Sequence, residues 1–400
     1  MADPAGRRRL RGIVTAGVVV ALLAAAGCAG DRRDPIDGTL SAEPSGTGAE
    51  AVLAQARSAT AAAWRGTYRS PDPGVRLAAK GKKIAVISRG QQSPTSSIPV
   101  SGAVEAAKAL GWQVSVLDLR LNPSSAPAMV QQAIELGVDG IVANFDCAYA
   151  PVQFAAAKAR GIKIIPLFGF DCTDPSVTGT PGESQYTTFV NYGVARVDTA
   201  KYTMGFGAVA ANAVIAATNG TAKVIAFNDE SSTVLHYTHA GFVETIKRCP
   251  GCRILEVVEF GTNELGPVLA AKAKAALQRH PDATVIRSAH SAATQLSIAP
   301  ALVAAGRQNS VLLIGGEGQP KDLDLIRTKQ GLNMTLSTDS QWAGWATVDS
   351  LNSAFNGESP RPAGFGGMLI DRDHNLPPSG PVQHNVNFKD VYRKAWGVGG

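Results

Sequence analysis

The sequence predicts an α/β protein made of two doubly wound lobes, each a parallel sheet with helices on both faces. Between Lys82 and Ser337, short apolar runs alternate with longer segments whose apolar residues recur at helical spacing. Glycines follow several of these longer segments, as they commonly do at helix ends. The alternation occurs twice with a similar rhythm, which indicates two α/β units of similar length.

The first unit contains short apolar strands separated by helices. The predicted strands are Lys83–Ser88, Gln113–Leu117, Gly140–Ala143 and Lys163–Leu167. The predicted helices are Val100–Leu110, Ala126–Leu136 and Ala150–Ala159. Before this unit, an alanine-rich segment with helical spacing predicts a helix over Ala49–Trp64.

The second unit repeats the pattern. Its predicted strands are Ala222–Phe227, Ile254–Val258, Thr284–Ile286, Val311–Ile314 and Met334–Ser337. Its predicted helices are Val197–Ala217, His239–Lys247, Leu265–Gln278, Ala292–Ala305 and Leu323–Thr328. A further helix is predicted over Ser340–Asn356, and a strand near Gly367–Ile370 lies in a loop-rich tail.

The N-terminal residues are organised like a bacterial export signal. Four arginines precede Ile13–Ala26, an apolar run that is shorter than the roughly 20 residues of a spanning helix. The run leads into Ala25-Ala26-Gly27-Cys28, which resembles a lipobox, although a lipobox usually has Leu at the position of Ala25. We expect residues 1–27 to be removed and Cys28 to be lipidated. The alternative is a plain secretory signal cut near Ala26.

Residues 28–80 are predicted to link this anchor to the folded part. Asp31–Gly48 is rich in Pro, Gly and Ser, which is typical of a flexible tether, and the helix over Ala49–Trp64 follows. A lipid-anchored, exported protein works at the outer face of the cytoplasmic membrane, and that is the predicted location.

Charge gives no support for nucleic-acid binding. The net charge of +6 includes four arginines and one aspartate before Cys28, so the remainder is closer to neutral.

The four cysteines after Cys28 allow three pairings. Cys249 and Cys252 are close enough to pair with each other, which leaves Cys147 for Cys172. A redox or zinc role for Cys249 and Cys252 is the alternative, but they follow a helix and lack partner ligands in the sequence.

Polar residues at strand ends are the candidate ligand contacts, because ligands of open parallel sheets bind beyond the carboxyl ends of the strands. In the first unit these residues are Ser88, Arg89, Gln91, Gln92, Asn144, Asp146 and Asp171. In the second they are Asn228, Asp229, Ser231, Ser232, His290, Ser291 and Glu317. Trp342 and Trp345 follow the last strand and are candidates for stacking on a ring. For each residue the alternative is a helix cap or a core position.

Motifs of common enzymes are absent from the sequence. It has no G-x-S-x-G, no phosphate-binding loop and no H-E-x-x-H. We therefore predict no catalytic residues, no metal site and no cofactor.

Several segments resemble the type-1 periplasmic binding proteins of the ribose/galactose kind. These segments are Lys82–Asp118, Met129–Asn144, Gly241–Ile246 and Val311–Gly318, and Tyr392–Gly397 resembles exported actinobacterial members. The resemblance implies two lobes joined by three crossovers near Asn191, Thr338 and Leu369. It assigns residues 81–191 and 339–368 to the first lobe and residues 192–338 and 369–400 to the second.

The resemblance also implies a set of ligand contacts. They are the loop from Ser88 to Gln92, Asn144 or Asp146, His290, Glu317 and the turn Thr338-Asp339. The sequence departs from the family pattern at Ser96–Ile98, Phe168, Thr238 and His290-Ser291. These departures leave the ligand open.

The expected function is that of a monomeric solute-binding lipoprotein. It would capture a small polar ligand, a sugar or a related compound, and deliver it to an ABC permease. The alternatives are a ligand-sensing receptor for a membrane signalling partner and, less favoured, an extracellular hydrolase.

Overall fold

In the computed structural model, which describes residues 48–192 and 199–399, ten strands form two separate sheets. The first four are β1 (Lys83–Ser88), β2 (Gln113–Asp118), β3 (Gly140–Ala143) and β4 (Lys163–Pro166). The other six are β5 (Lys223–Asp229), β6 (Arg253–Phe260), β7 (Val285–Arg287), β8 (Leu312–Ile314), β9 (Met334–Thr338) and β10 (Gly367–Asp371). The predicted export signal, Cys28 and the tether lie outside the described residues.

Helices flank both sheets. Those before β5 are α1 (Ala49–Arg65), α2 (Pro94–Ala109), α3 (Ala126–Glu135), α4 (Pro151–Ala159), α5 (Pro175–Thr178) and α6 (Thr199–Ala217). Those after it are α7 (Thr233–Lys247), α8 (Pro267–Arg279), α9 (Ser291–Ala293), α10 (Ala299–Ala304), α11 (Pro320–Arg327), α12 (Ser340–Phe355) and α13 (Phe388–Trp396). A π-helical segment, Thr294–Ile298, joins α9 to α10. Across the described parts of the chain, none of the helices has the length and apolar character needed to span a membrane.

The two sheets confirm the predicted α/β fold of two doubly wound lobes. The first has the order β2-β1-β3-β4 and is parallel throughout. The second has the order β10-β9-β8-β7-β5-β6, and only β10 runs antiparallel to its neighbour. Side chains along β1 point alternately to the two faces of the sheet. Ile84 and Val86 belong to one buried cluster, whereas Ala85 and Ile87 belong to another, so both faces are apolar and both are covered by helices.

Close helix contact in the first lobe depends on glycine. α2 and α12 cross where Gly102 and Gly344 face each other's backbones. A Cβ atom at Gly344 would lie 2.2 Å from the carbonyl oxygen of Pro99, so any side chain there would force the helices apart.

The C-terminal segment differs from the prediction. The family resemblance places residues 369–400 in the second lobe, and β10 does join that sheet. α13, however, packs on α12 in the first lobe, where the rings of Trp345 and Trp396 stack with centroids 5.4 Å apart. The helix forms because Phe388, Tyr392, Ala395 and Trp396 share one buried face at helical spacing.

The crossings between the lobes also differ in part from the prediction. The first lies partly outside the described residues, and the second follows β9 at Thr338, as expected. The third precedes Gly367, because Leu369 lies in the middle of β10. The chain also passes between the lobes twice more, after α1 and before α13, because α1 packs on the second lobe and α13 on the first.

Candidate ligand-binding cleft

A cavity of about 250 Å³ lies between the two lobes, at the carboxyl ends of the strands of both sheets. This is where open parallel sheets bind ligands. Eight of the predicted contact residues line the cavity: Arg89, Asn144, Asp146, Asp229, Ser232, His290, Glu317 and Thr338. The cavity thus brings together predicted contacts that are up to 249 positions apart in the sequence.

Asn144 and Asp146, which follow β3, form part of the wall contributed by the first lobe. The Asn144 side chain donates to the carbonyl of Leu167 at 2.9 Å, so it fixes the chain after β4. Asp146 accepts from the N–H of Phe170 at 2.8 Å and from the N–H of Thr233, in the second lobe, at 3.0 Å. Burial raises the pKa of Asp146, and the two backbone N–H groups and the charge of Arg89 oppose that rise.

Arg89 and Tyr149 cross the cleft from the first lobe to the loop after β5. One guanidinium nitrogen of Arg89 donates to the carbonyl and the hydroxyl of Ser231, at 2.9 and 2.7 Å. The hydroxyl of Tyr149 donates to the same carbonyl at 2.8 Å. Together with the bond between Asp146 and Thr233, these contacts hold the two lobes in a closed arrangement.

Asp229 and His290 form a buried pair on the wall of the second lobe. The Nδ1 atom of His290 accepts from the N–H of Ala293 at 3.2 Å, so Nε2 carries the proton and donates to Asp229 at 3.1 Å. Burial acts to raise the pKa of Asp229, but the hydrogen bonds from His290 and Ser231 outweigh it and lower the pKa. Asp229 is therefore an ionised acceptor.

Glu317, after β8, is held by a small network. Its carboxylate accepts from the N–H of Ser291 at 2.9 Å, and its own N–H donates to the hydroxyl of Ser291 at 2.9 Å. The same hydroxyl donates to the fully buried Asp322 at 2.6 Å. The network fixes the Glu317 side chain on the cavity wall.

The other predicted contacts do not line the cavity: Ser88, Gln91, Gln92, Asp171, Asn228, Ser231, Ser291, Asp339, Trp342 and Trp345. Ser88 accepts from the N–H of Gly90, and Gln92 is exposed. Asp171 binds Ser184 and three N–H groups of its own lobe, which stabilises the loop before α6.

Asp339 and Trp342 belong to the packing of α12 rather than to the cleft. Asp339 caps the helix by accepting from the N–H of Trp342 at 3.0 Å. Trp342 is completely buried and stacks on Phe388 of α13, with ring centroids 4.8 Å apart. The proposed stacking of Trp342 on a ligand ring is therefore wrong, because α13 already occupies that face. Trp345 is buried in the same way.

The cavity has a second group of lining residues that the sequence did not predict. Nine of them are aromatic, and five of these form a contiguous cluster near the crossovers: Phe168, Tyr192, Tyr202, Phe206 and Phe365. Arg287 also lines the cavity and is only 3% exposed. A charged residue at the end of an otherwise apolar strand was the available signal for Arg287.

Both predicted disulfides are present. Cys147 bonds to Cys172, which ties together the loops after β3 and β4 beside the cavity. Cys249 bonds to Cys252 just after α7. The alternative redox or zinc role for Cys249 and Cys252 has no support from this arrangement.

A family model matches most of the folded part of the chain. Residues 84–359 match the family described as periplasmic binding protein domain. The chain belongs to this family. Periplasmic binding proteins of this kind are solute-binding proteins and not enzymes. No curated protein matches the chain.

Solved structures with the same fold include solute-binding proteins from several bacteria. The glucose-galactose binding protein GanP of Geobacillus stearothermophilus is 18% identical, with a TM-score of 0.60 over 75% of this chain and 100% of that one. An ABC transporter solute-binding protein of Mycobacterium smegmatis with bound glycerol is 21% identical, with a TM-score of 0.61 over 76% and 99%. A 5-methylthioribose transporter solute-binding protein of Thermotoga lettingae is 16% identical, with a TM-score of 0.62 over 79% and 100%.

Proposed function

We propose that this periplasmic binding protein captures a small solute between its lobes and delivers it to an ABC importer. The observation that carries the proposal is the cavity itself, which is walled by residues of both lobes and closed by hydrogen bonds between them. A ligand in this position contacts both lobes only when they are closed, so it shifts the population toward closure by its differential affinity. A permease can then distinguish loaded from empty protein by shape.

We further propose that the protein is exported and anchored through a lipid on Cys28. The support is the sequence of residues 1–28, with its basic start, short apolar run and small residues before the cysteine. An anchor of this kind keeps the binding protein next to its permease at the outer face of the membrane.

The test is a ligand screen on the full chain, followed by scattering. A ligand that binds only the folded state raises the melting temperature by mass action. Each compound found in this way is then added during small-angle scattering and is recovered afterwards for mass analysis. We expect compaction of the protein and an unaltered compound. Chemical conversion of the compound, or binding without compaction, would contradict the proposal.

A further inference from the structure

Arg287 is a buried cation without a carboxylate partner among the described residues. It ends β7, where Val285 faces α6 and α7 and Ile286 faces the opposite side. Strand alternation therefore directs Arg287 toward α6 and α7. Its guanidinium accordingly lies over the ring of Phe242 in α7, 5.8 Å from the centroid, and donates to the carbonyl of Phe227 at 3.0 Å.

Arg287 retains most of its hydrogen-bonding capacity. A guanidinium has five N–H donors, and the bond to Phe227 uses one of them. Burial lowers the pKa of Arg287 to about 10, so the group is still charged at neutral pH. A buried charge without a counterion is costly, and proteins normally pair it. Because Arg287 also lines the cavity, a bound anion can supply that pair.

The other charged groups on the cavity wall already have partners. Asp229 is paired with His290, and Asp146 accepts from two backbone N–H groups. Arg89 is engaged by Ser231, and Glu317 accepts from the N–H of Ser291. Among the charged groups on the cavity wall, Arg287 is therefore the one that most lacks a counterion.

An aromatic part of the cavity wall constrains the rest of the ligand. The aromatic cluster of Phe168, Tyr192, Tyr202, Phe206 and Phe365 lines the same cavity. A dry cavity of about 150 Å³ holds one benzene molecule, so about 250 Å³ leaves room for one substituted ring. The hydroxyl of Tyr202 is buried and has no hydrogen-bond partner within the described structure, so it offers a donor to a substituent.

We propose that the ligand is a small ring compound carrying one carboxylate, and that the carboxylate binds the guanidinium of Arg287 while the ring packs on the aromatic cluster. A carboxylate fits because a guanidinium binds it through two parallel hydrogen bonds. A single arginine balances one negative charge, which favours a carboxylate over a doubly charged phosphate. This inference rests on the proposed function and specifies the class of its ligand.

The first test compares matched ligands on the full chain by calorimetry. The probes are phenylacetate and phenylacetamide, cyclohexanecarboxylate and its amide, and the neutral sugars D-glucose and D-ribose. We expect at least one carboxylate to bind, and its amide to bind at least tenfold more weakly. Equal affinity for acid and amide would overturn the inference. Binding of the sugars alone would also overturn it but would leave the proposed function standing.

The second test replaces Arg287 and compares the variant with a matched surface change, R253M. R287M is expected to lose at least tenfold in carboxylate affinity, because a charge-assisted pair is removed. Its ligand-free melting temperature should stay the same or rise, because an apolar side chain replaces an uncompensated buried charge. A lower ligand-free melting temperature in R287M than in R253M would show that Arg287 is structural and would overturn the inference. If none of the six probes binds, the ligand-free melting temperatures of R287M and R253M decide alone.

Discussion

The carboxylate of Asp146 in the first lobe accepts a hydrogen bond from the backbone N–H of Thr233 in the second lobe, at 3.0 Å. Thr233 is the first residue of α7, so its N–H has no partner within the helix. The other carboxylate oxygen of Asp146 accepts from the N–H of Phe170 in the first lobe. Asp146 thus joins the two lobes only when the cleft is closed.

We predict that D146A weakens ligand binding by roughly ten- to a hundredfold, because the closed state loses a hydrogen bond to a charged group. Calorimetry measures the affinity, and small-angle scattering should show less compaction of the liganded variant. D171A is the matched control, since Asp171 is also a buried carboxylate but bonds only within the first lobe. Equal loss of affinity in both variants would contradict a role in closure.

The disulfides provide a second prediction. Replacing both Cys147 and Cys172 by alanine should lower the free energy of unfolding by about 3 kcal/mol, because the bond closes a loop of 25 residues in the unfolded chain. The matched variant replaces both Cys249 and Cys252 by alanine. It opens a loop with a sequence separation of only 3, so its free energy of unfolding should fall by less. Urea unfolding measures both. A larger loss at Cys249 and Cys252 would contradict this account.

The third prediction concerns the anchor. The wild-type chain expressed in a host that lipidates exported proteins should partition into the detergent phase. C28A should appear in the aqueous phase or remain unprocessed, because the thiol that accepts the diacylglycerol is absent. The matched control is the alanine variant at Ser41, within the predicted tether, which should partition like wild type. A wild-type protein that is fully aqueous and begins after Cys28 would sink the proposal.

Much of the fold was predictable because its signals are local. Apolar runs predicted the strands of both sheets, and helical spacing predicted the helices between them. The strand-end rule also selected Asn144, Asp146, Asp229, His290 and Glu317, which do line the cleft. Their contact with a ligand remains a prediction.

The errors arose where tertiary packing decides. The position of Trp342 after β9 predicts a place at the cleft. That position does not show which face of α12 is covered by α13. α13 itself was missed, since one short amphipathic helix in a loop-rich tail is a weak signal. The orientation of Arg287 depends on strand alternation, and a strand of 3 residues gives too short a pattern to show it from sequence.

The last prediction uses the pH dependence of stability. Asp322 is fully buried and accepts from Ser291, Gln295 and Gln319, and no cation of the described residues pairs with it. Burial, together with the charge of Glu317, raises its pKa from 3.8 to about 6. Between these two values the folded protein binds more protons at this site than the unfolded chain does. The contribution of Asp322 to the free energy of unfolding therefore falls as the pH rises from about 4 to about 6.

We expect this fall to reach up to about 3 kcal/mol and to be absent in D322N, which cannot ionise. Urea unfolding at several pH values gives the slope for each protein. D324N is the matched control, because Asp324 lies on the same helix but is exposed and should leave the slope unchanged. D322N also lowers stability at every pH because it disturbs the hydrogen bonds of Asp322, so the slope is the deciding quantity. A D322N variant whose stability follows the wild-type slope would show that Asp322 is ionised throughout this range.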